Sequence, residues 1–272
     1  MNEKIIIFDT TLRDGELTPG VAFTLEQKIQ LAELLDDMGV DIIEVGYPGA
    51  FRKDFDALLA VSKQVKQATI CGLAGSKPDE VMDVALAIKP AIHGRIHVYT
   101  PVDVPRQARS TLDETLDLIR STIQLARNYR DDVEWSAFNA LKSDPDFLCR
   151  SFETAIQSGA TTINLPDTLG NSAPEDFAAL VQSVIQRVAN IDQATIAVHC
   201  HDDRGLAVAN SISALNAGAR QIECAINGLG ARKGNANLAT VVTAIAQHPN
   251  YCTHVNLAFL DQASKLVSQF QG

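Results

Sequence analysis

Eight short apolar runs, each followed by a helical pattern, constrain this chain more than any other feature it has. The runs fall near 5–9, 41–47, 68–74, 94–100, 132–138, 161–165, 195–200 and 221–227, and most are rich in Ile and Val. Strands buried on both faces read this way. Between them, Thr24-Leu25-Glu26-Gln27 forms a capping box that leads into Ile29, Leu31, Leu34, Leu35 and Met38 at helical spacing. Thr111 to Glu114 and Ser172 to Glu175 predict the same device, and Asp144-Pro145 offers an N-cap with proline in the first turn. Gly39, Gly159 and Gly218 stand where helices should stop before the next strand. Eight βα units of about 30 residues each predict a closed (β/α)8 TIM barrel. An open doubly wound sheet is the competitor, and eight parallel strands in one compact chain disfavour it. The barrel is expected over residues 1–250 as a single domain, followed by a loop and short helix over 251–272. That tail would pack on the barrel or at an oligomer interface.

Composition bounds the setting. With 46% hydrophobic residues among 272, the chain can bury a large core. A net charge of −10 disfavours nucleic acid or an anionic membrane as partner, so small anionic substrates would need local arginines. No apolar run approaches the roughly 20 residues of a membrane span. Met1-Asn2-Glu3-Lys4 opens directly into a strand-like run, without a signal peptide's basic and cleavage regions. Five cysteines without CxxC spacing read as reduced thiols, and the expected compartment is the cytoplasm.

Active sites of such barrels lie at the C-terminal mouth. Arg13 and Asp14 follow the first run, Glu44 closes the second, and His97 lies on the fourth. Asp167 and Thr168 follow the sixth, His199 and His201 end the seventh, and Asn235 lies in the loop after the eighth. His199-Cys200-His201 points two imidazoles to one side of a strand, with Cys200 facing the helices. With Asp14 they make a ligand set for a divalent cation that leaves positions open for substrate. Arg13 can balance negative charge developing on a substrate oxygen, and the combination suggests enolate chemistry. Each feature alone has a plainer reading. The histidines with Asp202 and Asp203 could form a solvated loop. Arg13 and Asp14 could make a surface ion pair of small value. Asn235 could be a turn residue beside Gly234. Residues from the whole length of the chain converging on one mouth outweigh those readings.

The motifs also carry a family resemblance. Phe8 to Gly15, Glu44-Val45-Gly46-Tyr47-Pro48, Arg95-Ile96-His97, Leu165-Pro166-Asp167-Thr168, His199-Cys200-His201-Asp202-Asp203 and Asn227-Gly228-Leu229-Gly230 closely resemble the α-isopropylmalate synthase family. That family, with homocitrate and citramalate synthases, uses a metal-dependent barrel to condense acetyl-CoA with a 2-oxo acid. The resemblance covers nearly the whole chain in order. It implies Asp14, His199, His201 and Asn235 as ligands of Mn²⁺, Mg²⁺ or Zn²⁺, with acetyl-CoA as co-substrate. It also implies that Arg13 stabilises the 2-oxo acid carbonyl, that Thr168 binds the carboxylate, and that Glu44 and His97 line the pocket. Carbon–carbon cleavage, as in related lyases and aldolases, is the alternative, and a barrel subunit that needs a partner is a third reading.

The departures concern the substrate. Leu17 stands where the family usually has glutamine, Phe138-Asn139 where it commonly has an acidic pair, and Ala231 where glutamate is usual. Arg232 and Lys233 could favour an anionic substrate or the phosphates of coenzyme A. The family's members continue beyond the position of Gly272 into a region that helps cover the site. The expectation is therefore no leucine feedback, and a homodimer or a separate protein supplying the cover.

Overall fold

The computed structural model describes residues 2–105 and 109–271. Eight parallel strands close a barrel in chain order: β1 (Ile6–Asp9), β2 (Ile42–Gly46), β3 (Thr69–Ala74), β4 (Gly94–Pro101), β5 (Asp132–Phe138), β6 (Thr162–Asp167), β7 (Thr195–Cys200) and β8 (Gln221–Cys224). The last strand returns to the first in the register Ile6–Gln221 to Asp9–Cys224. Each strand is followed by its helix: α1 (Leu25–Met38), α2 (Arg52–Gln64), α3 (Pro78–Ala87), α4 (Arg109–Arg127), α5 (Pro145–Gln157), α6 (Pro174–Arg187), α7 (Ala207–Ala217) and α8 (Leu238–Gln247). The chain is thus a (β/α)8 barrel. No helix among the described residues is long and apolar enough to cross a membrane.

Alternation along each strand sorts the side chains. Ile7, Ile43, Ile96 and Ile222 face outward into one continuous core with helix residues such as Leu31, Leu35 and Val61. Phe8, Ile42 and Cys71 form a separate small apolar cluster. Beside it the interior is polar. Arg95 donates to Asp132 (2.9 Å), Glu134 (2.8 Å) and Gln221 (2.8 Å), and Gln221 donates to Glu134 (3.0 Å). Buried charges persist only when paired and hydrogen-bonded, and this cluster meets the condition.

The start signals divide. Thr24 and Gln27 make the reciprocal capping box, and the Asp144 side chain accepts from Asp146 and Phe147 backbone N–H groups. The other two expected capping boxes are corrected. Thr111 lies inside α4, whose described part already begins at Arg109. α6 starts at Pro174 behind Ala173, because Asp167 holds the Ser172 backbone in the preceding turn (3.0 Å). Pro174 preset at the first helical position replaces the side-chain cap. The eighth run ends as a strand at Cys224, and Ile226–Gly228 turns away with Asn227 at φ +57°.

Beyond α8, Tyr251–Cys252 pairs in parallel with Glu3–Lys4. A final helix, α9 (Leu260–Gln271), lies against α1 with Ala263 and Val267 buried and Phe270 edge-on to Phe23. Ser264 Oγ donates to Asn227 Oδ1 (2.7 Å), tying α9 to the loop after β8.

Candidate active site

The loop after β1 is braced from three sides. The Thr10 carbonyl accepts from Arg13 N (3.2 Å) and Gly15 N (3.1 Å), starting the short turn Asp14–Leu17. Lys28 of α1, 2% exposed, donates to the carbonyls of Leu12 (2.8 Å) and Val45 (2.9 Å) and pairs with Glu16 (2.7 Å) and Asp54 (3.2 Å). Loop, strand β2 and helix α2 are therefore pinned to one ammonium. Within this frame Arg13 extends Nε to Glu44 (2.7 Å) and Nη1 to Asp14 (2.8 Å).

On the far side β7 delivers His199 and His201 with ring centres 4.8 Å apart. The loop after β8 folds back on the strand end, pairing Asn235 with His201 as an isolated antiparallel bridge. That return needs glycine. Gly234 sits at φ +97°, and a Cβ there would lie 2.0 Å from the Gly228 carbonyl oxygen. One donor atom from each of Asp14, His199 and His201 lies within 4.8 Å of the others. Asn235 joins them, with Oδ1 3.1 Å from His199 Nε2 and Nδ2 donating to Asp14 (2.7 Å).

The electrostatics suit a cation. Burial opposes the Asp14 charge, but Arg13 first, then the two imidazoles and Asn235, hold it below the usual carboxylate range. Burial drives His201 down to about 3, helped by His199 and opposed by Asp14, and burial likewise lowers His199. Both rings are neutral at neutral pH, which a metal ligand requires. His201 Nδ1 is buried without a hydrogen-bond partner among the described residues. An orphaned ring nitrogen beside a charged carboxylate and a second neutral imidazole fits a divalent cation.

Around the cluster runs a closed ring of hydrogen bonds. His199 Nδ1 bonds Glu223, Glu223 receives Asn164 Nδ2, and Asn164 Nδ2 also donates to Ser136 Oγ (2.9 Å). Ser136 bonds His97 Nε2 (2.7 Å), and His97 Nδ1 bonds Glu44 (2.9 Å), which returns to Arg13. A carboxylate on the outer nitrogen of a ligand histidine fixes its orientation. Here it aims Nε2 toward Asn235 and Asp14.

The ring opens onto a cavity of about 470 Å³ at the barrel mouth. Arg13, Asp14, His97, Thr168, His199 and His201 all line it. Glu44 does not; fully buried, it stands behind Arg13 and His97. Asn235 is also buried, behind the histidines. Arg232 bridges the mouth, bonding Asp203 through two nitrogens (2.9 and 2.8 Å) and the Thr168 carbonyl (2.8 Å). The opposite wall is aromatic, with Tyr47 edge-on to Tyr99 (6.2 Å) and Tyr99 tilted against Phe138 (5.7 Å). Sequence reasoning missed Glu223, Ser136, Asn164 and the two tyrosines. Except for Tyr47, which lies past the end of β2, their signal was present as polar residues at every second position of otherwise apolar strands.

Fold and mouth together define a (β/α)8 barrel carrying an acid–imidazole–guanidinium site. The chain belongs to the HMGL-like family, whose profile matches residues 4–267. It is 48% identical over 272 residues to 2-isopropylmalate synthase of Methylorubrum populi and 46% identical over 273 residues to that of Nitrobacter hamburgensis. Each match covers 98% of this chain and 52% of the relative, so the chain spans about half the length of these relatives. Among solved structures, the HMG-CoA lyase of Bacillus subtilis superposes with a TM-score of 0.81 at 22% identity, covering 99% of this chain and 94% of the lyase. That likeness bears on the fold.

Proposed function

We propose that this barrel is the catalytic part of a metal-dependent acyltransferase that condenses acetyl-CoA with a 2-oxo acid, in the manner of a 2-isopropylmalate synthase. The observation that carries it is the Asp14–His199–His201 cluster with Arg13 bonded to its carboxylate at the cavity. The 48% identity to a named synthase supports the same reading. Asp14, His199, His201 and Asn235 would hold Mn²⁺, Mg²⁺ or Zn²⁺. Such an ion, when bound, polarises a substrate carbonyl.

The remaining work falls to the chain's own side chains. Arg13 commits Nε and Nη1 to carboxylates, which leaves Nη2 to donate to the ketone oxygen as it becomes negative. Glu44 keeps the guanidinium in that plane; burial works against its charge, but Arg13 and His97 hold its carboxyl well below the usual range. Thr168 and Arg232, on the same rim, bind the substrate carboxylate. A base takes a methyl proton from the acetyl thioester, the enolate carbon adds to the ketone, the alkoxide takes up a proton, and water cleaves the thioester to release the acid and the thiol. Leu17 and Phe138, 46% and 39% exposed at the rim, favour a cover from a second copy of the chain or from a separate protein.

The test is thiol release from acetyl-CoA against a panel of 2-oxo acids, with and without each metal. Release that needs both metal and acid is expected, and His199→Ala should lose bound metal by elemental analysis. No release with any acid, or full metal occupancy in His199→Ala, refutes the reading. Formation of acetyl-CoA from a CoA ester instead would assign cleavage. Sedimentation of the active protein tests the homodimer.

A further inference from the structure

We propose that His97 and Ser136 form a proton-delivery relay ending at a substrate oxygen, with Ser136 a further catalytic residue of the reaction proposed above, on which the relay rests. The hydrogen-bond inventory carries the argument. Glu44 accepts from Thr10 Oγ1 (2.7 Å), Arg13 Nε (2.7 Å) and His97 Nδ1 (2.9 Å), so Nδ1 holds a proton. His97 Nε2 lies 2.7 Å from Ser136 Oγ, and Asn164 Nδ2 donates to the same oxygen at 2.9 Å. When the imidazole is protonated, Ser136 Oγ receives two donors. Its own hydrogen then has no acceptor among the described residues and points into the cavity, which Ser136, His97 and Asn164 all line. When the imidazole is neutral, the hydroxyl turns back to Nε2.

A second observation fixes the hydroxyl. Asn164 spends both amide hydrogens on Ser136 and Glu223, which holds the Ser136 oxygen in place at the cavity lining and leaves its hydrogen to turn between His97 and the cavity.

The step balances. The Nε2–H proton passes to Oγ as the Oγ–H proton passes to the substrate oxygen. His97 ends neutral with Nδ1–H still on Glu44, Ser136 ends unchanged, and the oxyanion becomes a hydroxyl. The surroundings favour a proton on His97 beforehand. Glu44 and Cys71 approach it from β2 and β3, Glu134 and Glu223 from β5 and β8, and the Phe8 ring lies edge-on at 6.0 Å. Burial opposes the imidazolium, but Glu134 and the Glu44 hydrogen bond outweigh it and raise His97 above its ordinary value.

The test uses the intact chain with metal, acetyl-CoA and the 2-oxo acid that gives the fastest thiol release. Ser136→Ala should lower kcat by roughly 10²-fold or more, the scale of general acid catalysis. KM for the acid should stay within about threefold. The alkaline fall in wild-type kcat, where the donor loses its proton, should vanish in Ser136→Ala. The double variant Ser136→Ala/His97→Asn should be no slower than the slower single variant, because the two act as one unit. A Ser136→Ala kcat within about threefold of wild type, an unchanged alkaline limb, or additive losses overturns the relay. Wild-type protein that binds metal yet releases no thiol refutes the condensation, and the relay with it.

Discussion

Glu223→Gln isolates what the ring of hydrogen bonds does for the cation site. Glu223 receives His199 Nδ1 on one oxygen and Asn164 Nδ2 on the other. A carboxylate accepts both donors; a carboxamide of the same shape accepts one and opposes the other with its NH₂ group. The mismatch is resolved when the His199 proton moves to Nε2, the nitrogen facing Asn235 and Asp14, and that removes the lone pair a metal needs. Loss of such an outer partner typically costs 10- to 100-fold in metal affinity, about 1.4–2.7 kcal/mol. Competition against a fluorescent chelator with Mn²⁺ or Zn²⁺ at fixed pH measures the effect, with Glu223→Asp as a carboxylate-retaining comparison. Wild-type affinity in Glu223→Gln would refute both the tautomer argument and His199 Nε2 as the liganding atom.

Three further outcomes are expected. Arg13→Lys should bind metal normally and lose roughly 10²-fold or more in turnover, since lysine cannot donate in a plane to Glu44, Asp14 and substrate at once; near-normal turnover would make Arg13 a structural partner. Lys28→Met leaves Glu16 and Asp54 without their buried cation and should cost about 3 kcal/mol, lowering Tm by about 6–12 °C; an unchanged melting curve would show that the brace is dispensable. Because burial depresses His201 to about 3, the folded apoprotein refuses a proton that the unfolded chain takes up below about 6.5. Apoprotein stability should therefore fall as pH drops through this window, while in His201→Asn the fall should be shallower; identical slopes would place the titration elsewhere.

The barrel was legible because its signals are local and repeated. Eight Ile- and Val-rich runs at regular spacing leave few alternatives, and the first and last strands meet as closure demands. Cap assignments failed where tertiary contacts decide the helix start, as Asp167 does for the turn at Ser172. Arg13, Asp14, His199 and His201 were legible because neighbouring polar residues stand out at strand ends. The ring was not, because Glu223, Asn164 and Ser136 are single residues on three strands, and their pairing depends on strand register. Glu134 beside Thr162 and Ser136 beside Asn164 share that register, and Asn164 meets Glu223 across β7, where they flank Ala197 and His199.

That register also gives meaning to the positions where this chain departs from the family it resembles. Leu17, Phe138 and Ala231 line the cavity, while Asn139, at φ +61°, turns its amide to Asp103 (3.1 Å) and its backbone N–H to Thr168 (3.2 Å). The changes replace acids with an aromatic ring, an amide and a methyl group, all on the rim. The cation cluster and Arg13 below are untouched. Leu17, Phe138 and Ala231 bring no carboxylate to the cavity, and the Asp203 carboxylate at the mouth is tied to Arg232. Burial and then the Glu80 hydrogen bond raise the Tyr47 hydroxyl far above its ordinary value. Proton traffic must then come from the floor, where His97 stands between Glu44 and Ser136 with its pKa raised. Restoring a rim acid with Phe138→Glu should accordingly relieve part of the kcat loss in Ser136→Ala while changing wild-type kcat little. A rim acid that leaves Ser136→Ala as slow as before would mean that floor and rim serve different steps.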